Sequence, residues 1–199
     1  MTTLCVVKKN DEVAIAGESL TTFGDTRLSH AYKNEHDKML HVADSWIGIC
    51  GSSAHHLVLE SALNRLADIR LGSRSEIFET FRRLHPLLKE HAFLNPKEDD
   101  DDPYESSQIT ALIANPFGIF GVYSYREVFA YERFWAIGSG RSFALGAMYA
   151  AYDRLKRPGD VARIGVAAGV EFDTASAGPI VVRQMKMHPS STGAPPPHE

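Results

Sequence analysis

The first eighteen residues constrain the fold most. Residues 3–9, Thr-Leu-Cys-Val-Val-Lys-Lys, are rich in β-formers, and so is the run at 12–17, Glu-Val-Ala-Ile-Ala-Gly. The dipeptide Asn10-Asp11 between them is a turn signal. Two strands joined by so short a polar turn make a hairpin. Thr2 therefore stands at the start of a rigid strand, and Glu18-Ser19 falls where the second strand ends.

The remaining elements come in blocks. Residues 20–33 are mixed and polar, with Gly24-Asp25 as a turn, and residues 37–49 read as a second hairpin bent at Asp44-Ser45. Trp46-Ile-Gly-Ile-Cys50 leads into Gly51-Ser52-Ser53, where either serine suits the N-cap of a helix from Ala54. Its apolar positions Leu57, Leu59, Leu63, Leu66 and Ile69 recur at mixed spacing until Gly72. A second helical pattern opens at Ser75 and carries Ile77, Phe81, Leu84 and Leu88, with Pro86 expected to kink it. The acidic run at 98–102, between Pro96 and Pro103, is expected to be an exposed loop because like charges repel.

Residues 108–114, 119–123 and 127–137 read as strands, the last ending in Gly138-Ser139-Gly140. A small-residue helix from Ser142 to Tyr152 follows, then a helix over 161–170 with Asp160 as its cap, then a strand over 179–185. The tail at 188–199, with Pro195-Pro196-Pro197, is too polar and proline-rich to pack and is expected to be disordered. That leaves residues 1–187 as one domain, as a length of 199 residues favours. Strands, two helices, strands, two helices and a strand predict an α+β fold. Two sheets face each other with a helix pair outside each, a four-layer αββα sandwich.

Composition excludes several functions. A net charge of −4 with no basic stripe argues against nucleic acid. No apolar run approaches the roughly 18 residues of a membrane span, and no signal-peptide pattern opens the chain. Cys5 and Cys50 sit in apolar segments and read as buried, reduced thiols, so a cytoplasmic protein is expected. His55-His56, His30, His36 and His41 lack paired spacing with a cysteine or carboxylate set, so no catalytic metal and no required cofactor are expected.

Three side chains suggest chemistry. Removal of Met1 would leave Thr2 with a free α-amine beside its own hydroxyl, which puts a nucleophile and a base on one residue. Glu18 and Lys33 supply a carboxylate and an ammonium downstream.

With those residues in place, the chain resembles the proteasome β-subunit group of N-terminal-nucleophile hydrolases. Thr2-Thr3-Leu4 resembles the exposed threonine and its strand, and Ala16-Gly17-Glu18-Ser19 the segment with the active-site acid. Lys33 stands within a residue of the expected lysine. Ile137-Gly138-Ser139-Gly140 resembles the loop beside the nucleophile, and Asp173-Thr-Ala-Ser176-Ala-Gly178 the Asp-x-x-Ser-Gly-Gly element before the last strand. The run from Gly138 to Ala147 is similar to the bacterial HslV branch, the Thr2-to-Lys33 spacing is more like Anbu, and the betaproteobacterial proteasome homologue fits the mixture best.

The resemblance implies amide hydrolysis through an acyl-enzyme on Thr2, with Lys33 beside the hydroxyl and Glu18 holding Lys33. It implies a Gly51 backbone N–H as an oxyanion donor, and Ser139, Asp173 and Ser176 positioning the threonine amine. It allows a structural cation near Asp173. It implies unfolded polypeptide or peptide substrates and stacked homo-oligomeric rings of about 12–14 subunits in all. Rings of this kind usually work with a separate ATP-driven unfoldase, and nothing in this chain names one, as it has no phosphate-binding loop of its own. Glu18 departs from the family's usual Asp. An extra methylene moves a carboxylate by about an ångström, and such a misplacement costs roughly 10²-fold in rate. Ser-Ala-Gly for Ser-Gly-Gly is a milder change. A non-proteolytic cage and a small-molecule amidase of the same chemistry are the alternatives.

Overall fold

The structure is a computed structural model that describes residues 2–33, 38–97 and 101–189. The N-terminal hairpin is β1 (Thr3–Lys9) and β2 (Glu12–Glu18). Asn10 and Asp11 both have positive φ, 51° and 59°. That is the conformation a two-residue hairpin turn demands and that Asn and Asp tolerate. β1 and β2 lie at the centre of a four-stranded sheet, flanked by β10 (Phe134–Gly138) and β11 (Ile180–Lys186) in the order β10-β1-β2-β11.

A second sheet of five strands has the order β5-β6-β7-β8-β9. It comprises β5 (Met39–Val42), β6 (Ser45–Cys50), β7 (Thr110–Asn115), β8 (Gly118–Val122) and β9 (Val128–Tyr131). A small hairpin, β3 (Thr21–Phe23) with β4 (Thr26–Leu28), stands apart from both.

Alternation along each central strand explains the layers. Leu4, Val6, Val13 and Ile15 point between the sheets, where they meet Leu112 and Ala114. Cys5, Val7, Ala14 and Ala16 point the other way, against α3 (Arg141–Ala151) and α4 (Pro158–Phe172). Ile47, Ile49, Ala111 and Ile113 of the five-stranded sheet turn outward onto α1 (Ala54–Leu63) and α2 (Arg74–His91). Both faces of the central strands are buried, so those strands read as nearly continuous apolar runs. The result is the expected αββα sandwich. Burial also pushes the Cys5 thiol well above its usual range. Among the described residues no helix is long and apolar enough to cross a membrane.

Four boundaries differ from the sequence expectation. The run over 127–137 is two strands in different sheets, since β9 pairs with β8 and β10 with β1. The crossing falls at Glu132-Arg133, which reach across an exposed corner to Lys8 and Asp153 at 3.0 Å each. α1 stops at Leu63, although Leu66, Ile69 and Leu71 still pack on the core from irregular backbone that includes Asp68 at positive φ. The α2 N-cap is Ser73, whose hydroxyl accepts from the Glu76 N–H, and the helix runs unbroken through Pro86. Asp160 lies in the first turn of α4 behind Pro158, where it complements the helix dipole instead of capping.

The expected tail begins in order: the His188 N–H donates to Pro116 O and its ring meets Phe117 edge-on. Residues 190–199 lie outside the described residues, as do 98–100 of the acidic run. Asp102 of that run accepts a hydrogen bond from Tyr125 Oη.

α4 approaches the start of β1 so closely that its residue 169 must be glycine. A Cβ on Gly169 would lie 2.4 Å from Thr3 Oγ1 and 2.8 Å from Thr3 Cβ. Gly169→Ala would gain about 1 kcal/mol in helix propensity. Overpacking a tight contact costs typically about 1–3 kcal/mol, so the balance is unfavourable. We expect Gly169→Ala to lower the denaturant midpoint; an unchanged or higher midpoint would contradict this packing.

Candidate active site

Four chain segments converge on Thr2. The first is β1 itself, which presents Thr2 one residue before its pairing begins at Thr3 opposite Gly138. The second is the turn after β10. Gly138 has φ +95°, and a Cβ there would lie 1.9 Å from the Thr2 carbonyl oxygen, so only glycine fits. The third is the end of β2, which carries Glu18. The fourth is the entry to β5, which carries Lys38.

Glu18 is buried, with 1% of its surface exposed. A buried carboxylate is costly unless it is paired and hydrogen-bonded. This one is both. Oε1 pairs with Lys38 Nζ, and Oε2 accepts the N–H of Leu20 at 2.7 Å and of Ala177 at 3.2 Å. The extra methylene of Glu over Asp thus ends on a full set of partners. Lys38 Nζ in turn donates to Thr2 Oγ1 at 3.1 Å. The backbone of Lys38 is held as well, its carbonyl accepting the Ile49 N–H at 3.3 Å.

Lys33, the lysine expected from its spacing to Thr2, does not make these contacts. Its Nζ donates to Thr21 Oγ1 at 2.8 Å, on the wall of the cavity that Thr2 also lines. Burial lowers the Lys33 ammonium from its usual range, the nearby charge of Lys38 lowers it further, and Glu18 acts in the opposite sense. The family resemblance pointed to Lys33, within a residue of the expected position, and passed over Lys38. The better signal was structural, since Lys38 immediately precedes the strand Met39-Leu40-His41-Val42, which roots a side chain as a loop does not.

A second network lies behind the threonine. Asp173 Oδ2 accepts the hydroxyls of Ser139 and Ser176, each at 2.7 Å. Ser176 Oγ has committed its proton to that carboxylate, so the 2.8 Å contact with Thr3 Oγ1 is a bond that Thr3 donates. Burial alone would raise the Asp173 carboxyl, but the two hydroxyls and the Ala175 N–H hold it below its usual range. Ser139, Asp173 and Ser176 are therefore brought together at the N-terminal end of β1.

Gly51, at φ +119°, lines the same cavity as Thr2. That cavity has a volume of about 610 Å³, and Leu20, Ile49 and Leu57 supply its apolar wall. Among the described residues no group of three or more His, Cys, Asp and Glu side chains could hold a metal ion.

No protein-family model and no curated protein matches the chain. Solved structures do. Thiobacillus denitrificans BPH matches at 41% identity with a TM-score of 0.88, over 94% of this chain and 100% of that one. The same protein in complex with epoxomicin matches at 39% identity with the same coverage and TM-score. This chain belongs to the BPH family of proteasome-like N-terminal-nucleophile hydrolases. Eukaryotic HslV from Trypanosoma brucei, at 20% identity over 93% of this chain and 99% of that one, shares the fold with a TM-score of 0.68. Within this BPH-family chain, the buried Glu18–Lys38 pair and the Asp173 network meet the first strand from two sides.

The Asp173 network gives a pH signature with a defined sign. A carboxyl depressed in the folded state stabilises the fold above its unfolded value, near 4, and loses that contribution as pH falls through the lower folded value. The difference in denaturant midpoint between wild type and Asp173→Asn should hold steady down to pH about 5 and shrink below about 4. A difference that grows on acidification would contradict the network.

Proposed function

We propose that this chain is a threonine-type peptidase whose nucleophile is Thr2, exposed by removal of Met1. The observation that carries the reading is the 3.1 Å contact from Lys38 Nζ to Thr2 Oγ1, with Lys38 itself fixed by buried Glu18. A threonine hydroxyl is a weak nucleophile and needs an adjacent base or a nearby positive charge. Here both are supplied. The freed α-amine of Thr2, with an ordinary pKa of about 7.7–8.0, is a suitable base near neutral pH. The Lys38 ammonium stabilises the oxygen as it loses its proton and disfavours a second charge on the amine.

The step balances simply. Thr2 Oγ1 attacks the peptide carbonyl and its proton passes to the α-amine. The tetrahedral oxyanion is held by backbone N–H groups, for which Gly51 is the assigned donor. Collapse breaks the C–N bond, and the amine returns the proton to the leaving nitrogen. Water then hydrolyses the ester by the reverse sequence of proton transfers. Ser139, Asp173 and Ser176 orient the N-terminal end of the strand and accept hydrogen bonds from the freed amine.

Glu18 and Lys38 replace the pairing of Glu18 with Lys33 that the family resemblance implied, and Lys33 does not activate Thr2 in this scheme. The family membership supports a homo-oligomer of stacked rings that encloses these sites, working on unfolded polypeptide or peptides in the cytoplasm with a separate ATP-driven unfoldase.

Intact mass before and after treatment with a peptide epoxyketone tests the reading. That warhead needs a hydroxyl and a free α-amine on one residue. Loss of Met1 and one adduct per chain, mapped to Thr2, is the expected result. Retention of Met1 overturns it, because the base is then absent. A processed chain without an adduct would make the protein a binding cage.

A further inference from the structure

The cavity beside Thr2 contains a cation that the proposed hydrolysis does not use. Lys33 lines it, half-buried, and its Nζ donates to the neutral hydroxyl of Thr21. Lys38 lines it too, but that charge is matched by Glu18. Glu18 is hydrogen-bonded to Lys38 and to the N–H groups of Leu20 and Ala177, and it acts on Lys33 through its charge alone. Among the described residues no aspartate or glutamate lines the cavity. His56 does line it, and its Nε2 is buried without a hydrogen-bond partner. The cavity therefore has an apolar wall of Leu20, Ile49 and Leu57, an ammonium group without a described counter-charge, and an unsatisfied imidazole nitrogen.

An anion is the ligand that such a wall lacks. Like charge from Lys38 and partial burial both work against the Lys33 ammonium, and an incoming carboxylate relieves both. A charge-assisted hydrogen bond to a carboxylate is roughly twice as strong as a neutral one. The apolar wall favours a side chain whose carboxylate sits at the end of an aliphatic stem.

We propose that Lys33 is a specificity-determining residue that directs this site to peptides with an acidic side chain, glutamate above all, immediately before the scissile bond. The inference rests on the threonine-peptidase reading and deepens it by naming the substrate class. Lys33 thereby acquires a binding role in place of the activating role beside the Thr2 hydroxyl that the family resemblance implied.

The test uses the full-length assembled protein and three fluorogenic peptide amides that differ only in the residue before the scissile bond: Glu, Leu or Lys. The glutamyl substrate should exceed the leucyl one in kcat/KM by about tenfold or more, chiefly through KM, since a site built to pair a polar group rejects analogues that lack it. The preference should weaken as salt is added. Lys33→Arg should keep the order, and Lys33→Glu should invert it in favour of the lysyl substrate, a change that a merely structural role would not produce. Wild-type preference for leucine, or an order that Lys33→Glu leaves unmoved, overturns the inference. If none of the three is cleaved and no epoxyketone adduct forms on Thr2, the peptidase reading itself has failed. If the adduct forms but glutamate is not preferred, only this inference has failed.

Discussion

The site depends on one buried carboxylate. An unpaired charge of this kind carries an effective penalty of several kcal/mol, so the fold must bring partners to Glu18 or lose the arrangement altogether. It brings three, from three places in the chain: Lys38 from the entry to β5, Leu20 from the turn after β2, and Ala177 from the loop before β11. Satisfying Glu18 therefore fixes the geometry around Thr2. The lysine reaches Thr2 Oγ1 because the carboxylate holds it there.

The remaining constraints act on the same spot from the other side. The glycines at 138, 140 and 169 let the β10 turn and α4 approach the start of β1 more closely than any side chain would permit. That approach sets Ser176 against Thr3, with Asp173 bonded to Ser176 and Ser139 behind it. Ser19 adds two ties between the end of β2 and the last loop, its N–H to Ala177 O at 3.2 Å and its hydroxyl to Pro179 O at 2.6 Å. Thr2 is thus preorganised by rigid elements, the condition under which electrostatic stabilisation is most effective.

Much of the fold was legible in the sequence because local signals agreed with it. Asn10-Asp11 between two β runs marks a turn that the structure contains, and Asp44-Ser45 marks one that falls a residue earlier, at Ala43-Asp44. The strand switch at Glu132-Arg133 was not legible, since a strand that changes sheets keeps its β pattern across the crossing. Nor was the end of α1, where apolar residues continue to pack after the helix has stopped. In the site, Glu18, Ser139, Asp173 and Ser176 lie at ends of strands or helices, and short motifs located them. The lysine was different: Lys33 and Lys38 both follow a polar stretch without periodicity, and apart from the strand that begins after Lys38 it is tertiary pairing with Glu18 that separates them.

The central claim is that Lys38, positioned by Glu18, activates Thr2. The most direct test is turnover of a peptide amide by Lys38→Ala, alone and with a small primary amine added in the millimolar range. The account predicts a fall of about 10²–10⁴-fold in kcat and partial recovery as the amine refills the space left by the side chain. Wild-type kcat in Lys38→Ala, with or without the amine, would contradict it.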